Sequence, residues 1–314
     1  MVANAKALGM EQSPNAKILR LTGRPLPLLG MTFALRIIIT LAWLCGPAWA
    51  AAEPERVISS FTIPDEWVGR LIGHQTHHFP MIPSGGEVHE LTLGAREARQ
   101  LSEAKLLVGI HPTLEPWLAD WLKGSQGYDF IWLYEKPLTS GKHVWLVPQD
   151  VRDMIKVLRD KLEKRGYKVS EDAYNQLIKE TYSVEKELGA AFGALPAHRR
   201  AFVSQHAGLE GFAGVFGLKV AGTIVESPTA ETADPSARHY AELLKTIRDQ
   251  GVKVVTVDEG QNQAFAQRLT RDAGIAPPVA LSFEYLQKAG QPGDTWSGMM
   301  LLNGRRLAQA LAQP

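Results

Sequence analysis

Three of the nine histidines, His89, His143 and His206, stand where a loop meets a regular element rather than on an exposed helix face. His206 directly follows the apolar run Ala201–Gln205, and the carboxyl end of a strand is where α/β sheets place ligands. His143 follows the turn Thr139-Ser-Gly-Lys142, and His89 follows Gly85-Gly86 between Glu87 and Glu90. Neutral imidazoles in this number suit a divalent metal, zinc above all. The gaps between them, 54 and 63 residues, exclude a zinc finger or a helical H-x-x-x-H site. Distant loops would have to assemble the site. Spacing alone leaves two readings open, ligands or ordinary histidines satisfied by local hydrogen bonds. On position alone His111 before Pro112 is an equal candidate. His74, His77 and His78 read as a polar surface hairpin, and His198 and His239 as solvated surface. The sole cysteine, Cys45, precedes the folded part, so a metal site must use histidine and carboxylate.

The elements that must position these residues form a regular series. Leu106–Ile110, Phe130–Tyr134, Ala201–Gln205, Lys219–Ile224, Val252–Val257 and Pro278–Phe283 read as strands. Helical patterns separate them: one includes Ala95–Leu101, one begins with Asp234 as N-cap and Pro235 at its first position, and one runs from about Gln261 to Ala273. Strand–helix alternation at this spacing predicts parallel α/β sheets. Two long apolar stripes interrupt the series. Val151, Met154, Ile155, Leu158 and Leu162 form one; Tyr174, Leu177, Ile178, Thr181, Val184, Leu188 and Phe192 form the other. The expectation is two (β/α) lobes joined by one long rigid helix: an N-terminal metal-binding lobe over 51–170, the linker helix over 171–193, and a C-terminal metal-binding lobe over 194–314.

Residues 1–50 read as an extension and signal peptide. Arg36 precedes the apolar stretch Ile37–Ala52, and Ala48-Trp49-Ala50 fits a cleavage site. The stretch is short for a membrane span and is interrupted by Gly46-Pro47; Met31 is an alternative start. The whole chain carries a net charge of +1, and removing residues 1–50 leaves about −3. This balance gives no reason to expect nucleic acid as a partner.

The words around the histidines are more specific than their spacing. GEVHELTLGAREARQLSEAKLLVGIHPTLEPWL (86–118), KHVWLVPQDV, Asp172-Ala-Tyr-Asn175, FVSQHAGLEGFAGVFGLKV, Asp234-Pro-Ser236 and the terminal helix from Thr295 occur in one order. In that order they resemble the metal-binding receptors of ABC importers for zinc and manganese, the cluster A-I solute-binding proteins. The resemblance covers nearly all of 55–312. It implies two α/β lobes with metal held in the cleft by His89, His143 and His206. It also implies periplasmic localisation, a monomer, and a membrane permease with a cytoplasmic ATPase as partner. Zn2+ is the implied cargo, with Mn2+ second, because manganese prefers more carboxylate oxygen.

The sequence departs from the family pattern in three ways. The family's fourth ligand is an aspartate where this chain has Ser282. Glu284 is taken in its place, with Glu87, Glu90, His111 or water as alternatives. Gly141-Lys142 replaces the acidic residue before His143, and Ala207 replaces the one after His206. The histidine-rich capture loop of zinc members is missing. Two rivals stay open. One is a receptor of the same fold for a metal chelate or organic ligand. The other is a zinc hydrolase with Glu90 or Glu115 as base, against which stands the lack of any H-E-x-x-H motif; the chain is read as not an enzyme. Free imidazoles would lose metal steeply as pH falls through about 6.5.

Overall fold

The computed structural model describes residues 54–313 except 90, 126, 139–142 and 226–234. The expected signal peptide, Glu90, Asp234 and the turn before His143 therefore lie outside the described residues. Strands β1 (Glu55–Phe61), β2 (Thr76–Ile82), β3 (Leu106–Gly109) and β4 (Asp129–Trp132) form one sheet in the order β2-β1-β3-β4, every pair parallel. Strands β5 (Ala201–Ser204), β6 (Lys219–Thr223), β7 (Val254–Asp258) and β8 (Val279–Leu281) repeat that topology as β6-β5-β7-β8. Parallel strands need crossovers, which bury the inner strands on both faces. All four residues of β3 are buried, as are four of five in β7.

The first βαβ unit was not legible as such. Ser59 and Ser60 break the apolar run of β1, yet both are buried. The histidine cluster is not a hairpin either. His77 and His78 lie in β2, a parallel strand at the sheet edge. Helix α1 (Thr62–Ile72) crosses over between β1 and β2. His78 accommodates itself beside Gly69 and Gly73, where a Cβ would meet its ring, and pairs with Asp65 of α1 at 3.1 Å.

Helix α2 (Ala95–Ser102) precedes β3, and α3 (Pro116–Gly124) starts with proline, whose missing N–H costs nothing at a first turn. The two apolar stripes are α4 (Pro148–Lys164) and α5 (Glu171–Gly193). The latter has 23 residues, about 35 Å at 1.5 Å per residue. After α6 (Glu210–Val215), helix α7 (Ala237–Asp249) corrects the expected cap. The N-cap is Ser236, whose hydroxyl accepts the His239 N–H, and Pro235, expected at the first helical position, stands outside the helix. His239 is not simply solvated: its Nε2 lies 2.7 Å from the Thr223 carbonyl at the end of β6. Helix α8 (Ala264–Ala273) starts later than the periodicity suggests and ends on Gly274 in the left-handed region.

Helix α9 (Trp296–Ala312), capped by Thr295, packs along α5, which also meets α1 and α4. The α5–α9 contact is close because Gly304 has no side chain. A Cβ there would sit 2.6 Å from Leu188. Among the described residues no helix is long and apolar enough to cross a membrane. Gly304→Ala is expected to destabilise the fold by about 1–3 kcal/mol through overpacking, read as a lower urea midpoint at unchanged slope.

Candidate metal-binding site

The loops after strand carboxyl ends bring His89, His143, His206 and Glu284 to one place. His89 lies on the loop after β2, and its Nδ1 donates to the Leu114 carbonyl at 3.0 Å. That bond fixes the tautomer and leaves Nε2 as the lone-pair nitrogen. His143 caps a short 3-10 turn, Val144–Leu146, and is 2 % exposed. Its ring stacks on Trp145 with centroids 4.6 Å apart. The Trp145 indole donates to the Phe283 carbonyl at 2.7 Å, and the Trp296 indole donates to the Trp145 carbonyl at 2.7 Å. The loop bearing His143 is thereby bonded to the loop bearing Glu284.

His206 follows β5, and its Nδ1 donates to Asp258 at 2.7 Å. Asp258 ends β7, the neighbour of β5 at the point where strand order reverses. Glu284 follows β8. Two residues before it stands the buried Ser282. Its N–H and C=O are both bonded to the buried Asn303 side chain, at 3.1 and 3.0 Å. Gly208 supplies the remaining constraint. With φ at +143° its missing Cβ would sit 2.6 Å from the His143 ring.

The resulting geometry is tight. His89 Nε2 is 3.2 Å from His143 Nε2. Glu284 Oε1 is 3.1 Å from His143 Nε2 and 2.9 Å from His206 Nε2. His89, His143 and Glu284 each offer a ligand atom within 4.8 Å of the others. His206 joins this trio through Glu284. At Glu284 close approach does not mean hydrogen bonding. His206 Nε2 and Glu284 Oε1 are buried, and neither has a hydrogen-bond partner among the described residues. The two Glu284 contacts are short but lack the alignment a hydrogen bond needs, whereas His89 Nε2 and His143 Nε2 are hydrogen-bonded.

The electrostatics separate the imidazoles. Burial pushes His143 down to about 4, against the pull of Glu284. Burial also opposes charge on His206, but Asp258 and Glu284 outweigh it and push His206 up to about 11. Burial disfavours the Glu284 carboxylate as well, yet His143 and His206 hold it well below the usual range.

Other candidates fall elsewhere. His111 accepts the Thr113 N–H and stacks edge-on against Tyr134, outside the trio. Glu115 is wholly buried, and its carboxylate accepts the Ile110 and His111 N–H groups and the Ser60 hydroxyl. It braces the β3–α3 turn and is not poised as a base. Glu87 accepts from Gln261 at 3.2 Å, a bond from the His89 loop to the loop after β7. The cavity that reaches Glu284 and Asp258 has a volume of about 70 Å3. Ligand pockets for organic molecules run to about 300–1,000 Å3. Larger cavities of about 360 and 480 Å3 are lined by none of the four residues. Reading the sequence missed Asp258, Trp145, Gly208 and Asn303. Only Asp258 carried a signal, its place at a strand's carboxyl end.

The fold is that of the periplasmic metal-binding receptors. It matches the periplasmic zinc-binding protein TroA from Treponema pallidum with a TM-score of 0.71, at 17% identity over 83% of this chain and 100% of that one. It also matches a Cd-bound periplasmic metal-binding protein from Candidatus Liberibacter asiaticus with a TM-score of 0.70, at 15% identity over 82% of this chain and 99% of that one. The chain belongs to the ZnuA family, zinc-uptake complex component A, periplasmic, whose pattern matches residues 57–310. The zinc-binding protein AdcA of Streptococcus pyogenes serotype M1 is 24% identical over 75% of this chain. The manganese ABC transporter substrate-binding lipoprotein PsaA of Streptococcus mitis is 22% identical over 91% of this chain and 99% of its own length. This chain spans about half the length of AdcA, 52%.

Gly208→Ala is expected to displace the His143 ring and to cost about 1–3 kcal/mol, measured by urea denaturation. An unchanged midpoint would contradict the close approach described here.

Proposed function

We propose that this protein captures a divalent metal ion between its two sheets and hands it to an ABC permease in the inner membrane. His89, His143, His206 and Glu284 are the ligands. Residues on either side of α5 act as the two lobes, 51–170 and 194–314, and α5 (171–193) as the linker that limits their motion. The chain reaches the periplasm through the signal in residues 1–50 and works as a monomer.

One observation carries this reading. Two donors at 2.0–2.1 Å from a tetrahedral zinc ion are about 3.3–3.4 Å apart. The contacts of 3.2, 3.1 and 2.9 Å fall within a few tenths of that edge. An unsatisfied buried polar group costs about 1–3 kcal/mol, and a bound cation satisfies His206 Nε2 and Glu284 Oε1 together. Three imidazoles and one carboxylate favour zinc over manganese. Asp258 behind His206 and the Leu114 carbonyl behind His89 orient the rings as outer partners of a metal site do. The cavity beside Glu284, about 70 Å3, is too small for an organic chelate.

Calorimetric titration with zinc tests the ligand set. His143→Ala and His206→Ala are expected to abolish binding or reduce it sharply, and equal tight binding by both variants would sink the site.

The pH dependence differs from that of free imidazoles. His206 gains stability from its carboxylates when protonated; that contribution is complete below about 6.5 and lost as pH rises towards about 11. A metal ion must displace this proton, so affinity rises with pH by about tenfold per unit across the neutral range. His143 stays neutral down to about 4 and adds no step there. Calorimetry at pH 7 in buffers of different ionisation enthalpy is expected to show about one proton released per metal, and no buffer dependence would contradict this.

A further inference from the structure

A second cluster of ionisable groups lies among three helices. Arg70 of α1 forks onto Glu180 of α5, at 2.8 and 3.0 Å, and reaches Glu66 one turn earlier in α1 at 3.1 Å. Burial pushes the Glu66 carboxyl up to about 7, against the pull of Arg70. Both carboxylates also meet the start of α9. Glu66 accepts the Trp296 N–H at 3.4 Å, and Glu180 accepts the Ser297 hydroxyl at 3.1 Å. Carboxylates belong at a helix N-terminus, where N–H groups lack partners and the dipole is positive.

The same Trp296 donates its indole N–H to the Trp145 carbonyl, and Trp145 stacks on His143 while its own indole bonds Phe283, next to Glu284. A path of hydrogen bonds therefore runs from Arg70 through the first turn of α9 to Trp145, which stacks on His143 and bonds Phe283, the residue before Glu284.

We propose that Arg70, Glu66 and Glu180 are positioning residues for metal capture: they clamp the first turn of α9 so that the Trp296–Trp145 relay holds His143 against Glu284. The clamp touches no ligand and acts through the two tryptophans. It rests on the ligand set proposed above. A bidentate guanidinium fork carries geometric specificity that a lysine ammonium lacks. Losing the fork leaves charge in place and loosens register.

The test uses the full mature protein loaded with Co2+, whose visible absorption reports coordination geometry, alongside zinc affinity by chelator competition. Wild type, Arg70→Lys, Glu180→Gln and Trp296→Phe are compared, with Arg165→Lys as control, since Arg165 pairs with Asp129 away from α9. Glu180→Gln keeps shape and is the mild variant if Arg70→Lys folds poorly. The clamp predicts that Arg70→Lys, Glu180→Gln and Trp296→Phe each weaken zinc binding by roughly tenfold or more. They should also change the cobalt spectrum in the same direction, while Arg165→Lys changes neither. A lowered melting temperature with wild-type affinity and an unaltered cobalt spectrum would overturn the positioning role and leave the ligand set standing. Failure of wild type itself to bind would instead remove the ligand set, and the clamp with it.

Discussion

The hydrogen bond from the Trp145 indole to the Phe283 carbonyl is the contact on which the site's geometry depends. His143 sits two residues before Trp145, and Glu284 directly follows Phe283. One bond of 2.7 Å thus sets the distance between a ligand candidate from the loop after β4 and one from the loop after β8. The stack of His143 on Trp145 fixes the ring plane, and the missing side chain of Gly208 leaves room for the ring. Asn303 holds the Ser282 backbone at both its polar groups, so the segment leading to Glu284 has little freedom. Buried hydrogen bonds of this kind specify one arrangement because the alternative is an unsatisfied polar group.

The electrostatic arrangement follows from that closeness. Buried imidazoles and a carboxylate sit within contact distance, with Asp258 behind His206. Without a cation, the carboxylates keep a proton on His206. A divalent ion supplies the charge that the proton supplies otherwise, and it satisfies donors that a single proton cannot. On the proposed ligand set, metal binding exchanges this proton for the ion.

Much of the fold was legible in the sequence because its parallel strands are short, apolar and separated by patterned helices. Six of eight strands and the long helix follow from periodicity. The first unit escaped because Ser59 and Ser60 interrupt β1 and because His77 and His78 make β2 look like a surface turn. Buried hydroxyls inside a sheet are not visible as core from composition. Asp-Pro and Pro-Ser are both good helix starts, and helix α7 uses the second, the Ser236 hydroxyl accepting the His239 N–H.

The sequence blocks around His89, His143 and His206, and the serine at 282, single out the residues that the fold brings near Glu284. The supporting residues were not legible in the sequence. Asp258 meets His206 only because β7 pairs with β5, and Asn303 meets Ser282 only because α9 folds back beneath β8. Such pairings depend on tertiary packing and leave no local pattern. The central claim is the ligand set, and zinc K-edge X-ray absorption on the zinc-loaded protein addresses it most directly. The account predicts about three imidazole nitrogens and one carboxylate oxygen near 2.0–2.1 Å, with an imidazole scattering contribution that falls by one ring in His206→Ala. A shell of six oxygens, or a zinc shell unaltered by that substitution, would contradict it.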